Sequence, residues 1–130
     1  MDQDIVGVRN ELRERVTSEL SAEAFGNRGL QTLATPALVG LIERAAMVAL
    51  EPFLEQGERS VGSSIQLDHL APTPLGAEVA VQVEVVELDG SKVSFAVEAR
   101  DEQETIARGR HGRVVVDAGR FDRLVARKAR

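Results

Sequence analysis

Residues 35–50, Thr-Pro-Ala-Leu-Val-Gly-Leu-Ile-Glu-Arg-Ala-Ala-Met-Val-Ala-Leu, decide how the rest of the chain is read. Thr35 can cap a helix N-terminus, and Pro36 suits the first helical position, where a missing N–H costs nothing. Every later position is apolar except Gly40 and the charged pair Glu43 and Arg44. A helix apolar on nearly every side is a buried one, so this segment is predicted to be a buried central helix. It should weaken near Pro52 and end in a turn over residues 55–60.

C-terminal to the helix, four strands are expected. Residues 61–70 form the first, and residues 78–88 the second, with Val79, Val81, Val83 and Val85 on one face. Asp89-Gly90 signals a tight type I′ hairpin. Val93, Phe95, Val97 and Ala99 alternate in the third strand, and residues 105–117 form the fourth. Residues 71–76, Ala-Pro-Thr-Pro-Leu-Gly, make a rigid connection. On the N-terminal side, Val8, Leu12 and Val16 fit a half-buried strand, although their four-residue spacing suits a helix equally. Residues 18–25 read as a short helix capped by Gly26, and residues 26–33 as a loop. About five antiparallel strands need a cover, and one long helix is available. The expectation is an α+β fold, an antiparallel sheet wrapped around one long central helix. That helix carries mostly small side chains and leaves apolar surface uncovered, so a homodimer is expected.

With 130 residues, the chain is read as a single domain over 1–130. An N-terminal strand and short helix occupy about 8–26, and a basic tail about 118–130. Apolar residues make up 43%, which argues against wholesale disorder; with four Phe and no Trp or Tyr, the core must be Val, Leu, Ile and Ala. The chain has no cysteine, which removes disulfides and thiolate chemistry, and its two histidines make a multi-histidine metal site improbable. Neither a metal nor a cofactor is expected. No stretch resembles a signal peptide or a membrane span, so a cytoplasmic protein without a membrane partner is expected. The net charge of −5 is asymmetric: Arg120, Arg123, Arg127, Lys128 and Arg130 face a single acid, Asp122, in the tail. An acidic body argues against nucleic acid as a partner. The tail reads as a solvated helix end or as a patch for an anionic ligand.

Four residues invite a chemical reading. Glu43 has apolar or glycine neighbours at helical spacing, Val39, Gly40, Ala46 and Met47. A carboxylate there is costly unless paired or used. It is either salt-bridged to an arginine, such as Arg44 of a dimer mate, or a general base or nucleophile activated by desolvation. His69 shares the odd face of its strand with Val61, Ser63, Ile65 and Leu67, and so points toward the core. It is either a satisfied core histidine or a functional one. Thr35 is explained by capping, yet its hydroxyl sits where an oxyanion would meet free N–H groups. Eight helical residues, about 12 Å, separate it from Glu43, too far for contact but close enough for both to line one channel. His111 alternates with Arg113 on one face, while Arg108 and Arg110 take the other. Clustered arginines either hold phosphates or pair with acids on an exposed face. No phosphate-binding glycine loop, dinucleotide fingerprint or nucleophile elbow is present.

Together, Ala34-Thr35-Pro36, Gly40-Leu41-Ile42-Glu43, Val61-Gly62, His69-Leu70-Ala71-Pro72-Thr73-Pro74-Leu75-Gly76 and Gly109-Arg110-His111-Gly112-Arg113 resemble the fluoroacetyl-CoA thioesterase-like branch of the hotdog superfamily. The resemblance runs from about Val8 to Phe121 and rests on the order and spacing of these motifs. It implies a hotdog dimer hydrolysing acyl-CoA thioesters, with Thr35, Glu43 and His69 as the catalytic group. It implies that Gly62 lies near the reacting centre and that Arg113 contacts the CoA moiety. The lid phenylalanines of the fluoroacetyl-specific enzyme correspond to Gly26 and Gly29, with Phe25 adjacent, which points to a larger or different acyl group. The glutamate after the second histidine is replaced by Gly112. The expected function is an acyl-CoA thioesterase for a small or medium acyl group. Its rivals are a hotdog hydratase or dehydratase and a non-catalytic acyl-CoA binding protein.

Overall fold

A computed structural model describes residues 1–129; Arg130, the last basic residue of the tail, lies outside them. In chain order the main elements are β1 (Arg9–Arg15), α1 (Thr35–Leu50), β2 (Glu58–His69), β3 (Glu78–Asp89), β4 (Lys92–Arg100), β5 (Thr105–Asp117) and α2 (Ala118–Lys128). The strands form one antiparallel sheet in the order β1-β3-β4-β5-β2. It curls around α1, and the core lies between them: Leu38, Ile42 and Leu50 pack with the valines of β3, Val93 and Phe95 of β4, and Ile106 of β5. No helix among the described residues is long and apolar enough to cross a membrane.

One open choice is resolved and several local expectations are corrected. The N-terminal stretch is a strand, since its pairing with β3 buries Val16 and half-buries Leu12. Instead of one short helix there are two 3-10 turns, Ser18–Leu20 and Glu23–Phe25. Ser21 separates them by bonding back to the Ser18 carbonyl at 2.7 Å and capping Ala24 N–H at 3.1 Å. Gly26 closes the second turn in the left-handed conformation, φ 101°. The hairpin turn is shifted by one residue. Asp89 pairs with Lys92, so Gly90 and Ser91 are the central residues, and of the two only Gly90 has positive φ, 63°. That is the type II′ pattern rather than I′. The shift places Leu88 opposite Val93, so that two buried side chains meet.

Helix α1 begins at Thr35, with Ala34 as its N-cap and no side-chain cap. Nor is the helix buried all round. Met47 and Val48 are 39% and 44% exposed, and Gly40, Glu43 and Arg44 are exposed beside them. The sheet curls around one side of α1 only and leaves this stripe open. β2 is an edge strand, paired on one side with β5. The basic tail is α2, capped by the Asp117 side chain and tied to β2 by Arg59, which pairs with Asp122 at 3.2 Å and lies 6.0 Å over Phe121.

Candidate active site

The site is organised by an irregularity in β2. Gly62 pairs with Arg113 and Ser64 with Gly112, so Ser63 is an extra residue, a β-bulge. Past it, Ile65, Leu67 and His69 face the helix side, as expected. Before it the alternation is inverted, because one extra residue swaps the faces. Gly62, not Val61, therefore shares the inner face with His69, and the expected common face of Val61, Ser63 and His69 is corrected.

Facing Gly62 is Glu43 of α1. A Cβ built on Gly62 would collide with Glu43 Oε2 and lie 3.5 Å from Arg113 Nη1, so only a glycine leaves the carboxylate its position. Arg113, 5% exposed, sits 3.7 Å from Glu43 Oε2 through Nη1. Its Nε donates to Ser60 Oγ at 3.0 Å and its Nη2 to the Ser60 carbonyl at 3.1 Å. Within the chain, Arg44 bonds Glu14 of β1 at 3.0 Å. Glu43 is 47% exposed within the chain, so its apolar helical neighbours alone do not desolvate it.

Thr35 and His69 form a second group. With no capping role, the Thr35 hydroxyl lies 2.7 Å from His69 Nδ1. His69 Nε2 is buried without a hydrogen-bond partner among the described residues. Such an atom is uncommon and is available to a substrate or water. Burial holds the imidazole below its ordinary pKa, with the Ala71 backbone acting the other way. Around this pair is a pocket of about 460 Å³, lined by Phe25 and Leu30 of the loop, Leu33 and Pro36, and Leu70 and Pro72. Pro36 contributes no N–H, and Leu38 N–H is bonded to the Ala34 carbonyl. The Thr35 and Ala37 N–H groups are thus the donors of the first turn without an intrahelical partner.

Thus the structure joins Thr35 to His69, and Glu43 to Gly62 and Arg113. It does not bring the two groups into contact within one chain. Sequence reasoning did not foresee Ser60 and His111 as partners of Arg113. The sequence predicts a turn at Ser60, and the one signal it offers is the alternation that sets His111 on the face of Arg113. Arg108 and Arg110 point outward, and Arg108 meets Glu98 at 3.6 Å.

Solved structures share this fold. A variant of the fluoroacetyl-CoA-specific thioesterase FlK superposes with a TM-score of 0.90 at 31% identity, over 98% of this chain and 99% of that one. A thioesterase superfamily member from Thermus thermophilus gives 0.91 at 29% identity, over 99% and 96%. A hot-dog-like protein from Thermanaerovibrio acidaminovorans gives 0.89 at 25%, over 95% and 91%. The fold and these relatives define a thioesterase of the hotdog class. Within it, the family described as fluoroacetyl-CoA-specific thioesterase matches residues 16–119, and the chain belongs to that family. It is 38% identical to the fluoroacetyl-CoA thioesterase of Streptantibioticus cattleyicolor over 98 residues, 75% of this chain and 70% of that protein.

Proposed function

We propose that this thioesterase hydrolyses small or medium acyl-CoA thioesters, as a homodimer in the cytoplasm. The observation that carries the reading is the Thr35–His69 pair in the wall of the pocket, with a buried, unpartnered ring nitrogen. Thr35 and the N–H groups of the first turn of α1 hold the thioester carbonyl oxygen as it gains charge. Glu43 attacks the carbonyl carbon or activates the water that does. The carbon–sulfur bond breaks, and His69 supplies the proton that releases CoA as the free thiol. In the first route water then cleaves the acyl–Glu43 anhydride; in the second the acid forms directly. Gly62 provides clearance for Glu43. Arg113, expected to contact CoA, has its guanidinium turned inward, which supports action on the substrate through Glu43.

The two groups of residues lie about 12 Å apart along α1, which supports a site completed by a second copy. The open stripe of α1 and the free edge of β2 are the surfaces available for it. Sedimentation at micromolar concentration is expected to show a homodimer; a fully active monomer would contradict the proposal.

A thiol-release assay over a panel of acyl-CoAs tests the activity. Free thiol supports hydrolysis, an enoyl or hydroxyacyl product supports hydration chemistry, and neither supports a binding protein. Gly26 and Gly29 stand exposed with open space around their Cβ positions, and Phe25 is 55% exposed. Several acyl-CoAs should therefore be cleaved, with no large preference for fluoroacetyl-CoA over acetyl-CoA. A kcat/KM ratio of about a thousand, roughly 4 kcal/mol in transition-state binding, would refute the open pocket.

A further inference from the structure

His111 is 2% exposed and stacks on Phe95, with ring centroids 6.1 Å apart at 24°. Its Nδ1 lies 2.8 Å from the Ser64 carbonyl, and its Nε2 lies 3.2 Å from Arg113 Nη1. Each partner can play only one part. A carbonyl oxygen only accepts, so Nδ1 carries the hydrogen; a guanidinium only donates, so Nε2 offers its lone pair. The ring is therefore neutral and held in one tautomer. The Nη1 group that donates to it is the same one that faces Glu43 Oε2 at 3.7 Å. One Nη1 hydrogen is thus directed to His111, leaving the other for Glu43, while Nε and Nη2 are held by Ser60.

We infer that neutral His111 is a positioning residue, which sets the Arg113 guanidinium so that Glu43 is anchored through one oxygen and stays free to react. The inference rests on Glu43 being the reacting carboxylate. Without the Nε2 acceptor, Nη1 loses the bond that fixes its direction and can draw Glu43 into a closer ion pair. Among the described residues, the charged groups facing His111 are Arg113 of β5 and Glu43 of α1; β2 and β4 present the Ser64 carbonyl and the Phe95 ring. Burial is the main cause that holds the imidazole below its ordinary pKa, and Arg113 adds to it, against the Ser64 carbonyl and Glu43. The neutral ring therefore persists above that lowered pKa. As pH falls through it, a second ring N–H meets the guanidinium and the arrangement is lost.

Two variants and one spectrum test this. His111→Phe keeps the stacking but removes both nitrogens, and His111→Gln keeps an acceptor for Arg113. In His111→Phe, kcat is expected to fall about a hundredfold with KM little changed, as for a misplaced reacting group. His111→Gln should recover most of it. The acid limb of the kcat/KM profile should lose the proton that His111 takes up, becoming less steep by one proton in both variants. Equal losses in both variants with an unchanged limb would mean a packing role only and overturn the inference, as would wild-type kinetics in His111→Phe. Should His111→Phe fail to fold, nitrogen-15 spectra of the wild-type protein decide without it. They should show Nδ1–H and a bare Nε2, with a His111 midpoint that drops in Glu43→Gln. The opposite tautomer or an unmoved midpoint would overturn the inference even in an active thioesterase. Full turnover in Glu43→Gln would instead refute the catalytic reading and leave the ring's geometry to the spectra.

Discussion

Replacing Glu43 with Gln is expected to leave the chain folded and to reduce kcat about a thousandfold or more. A carboxylate that attacks or removes a proton in the transition state contributes at this scale. The amide keeps the shape and can still stand over Gly62, where the collision with a Cβ shows how closely the side chain lies. What it loses is the negative charge and the nucleophilic lone pair. Folding should survive because Glu43 is half exposed and its contact with Arg113 is a single 3.7 Å approach, while Arg113 keeps both bonds to Ser60. Turnover measured by thiol release, alongside a thermal melt, checks both halves. A folded variant with near wild-type turnover would remove Glu43 from the mechanism.

Gly109→Ala is expected to have the largest effect on stability. Gly109 pairs with Leu67 across the β2–β5 ladder. A Cβ there would collide with the Gln66 carbonyl oxygen and come within 3.0 Å of Gln66 C and Leu67 Cα. All three are backbone atoms, so no side chain can rotate away and the two strands must part. Overpacking of this kind costs about 3 kcal/mol, which for a chain of this size lowers the melting midpoint by roughly 10 °C. Turnover should fall as well, because β2 carries both Gly62 and His69. A midpoint within about 2 °C of the wild type would show that the strands yield at little cost, contrary to this packing.

The two substitutions probe different kinds of information in the chain. Where a rule is local, the sequence alone was enough. The apolar run of α1 and the alternating valines of β3 state their own periods, and burial rewards those periods wherever the segments lie. An antiparallel sheet around one helix follows, because that many half-apolar strands had one helix to cover them. The motif order Thr35, Glu43 and His69 was legible too, since it depends on spacing and not on contact.

The tertiary structure decided what depends on pairing between distant segments. Nothing in Val61-Gly62-Ser63-Ser64 marks Ser63 as the extra residue; its register against β5, some 50 residues on, does so and turns Gly62 toward Glu43. Thr35 is locally a good cap, yet its hydroxyl goes to His69, 34 residues away, because the chain places Ala34 in the cap position. For Arg113, the family resemblance implies a contact with the CoA moiety, and nothing local to its strand says where the guanidinium turns. The Ser60 and His111 groups that turn it inward are brought to it only when β2, β4 and β5 close into one sheet. Side-chain period is a property of a segment, whereas register and hydrogen-bond partners belong to pairs of segments and are set by which arrangement leaves the fewest buried groups unsatisfied.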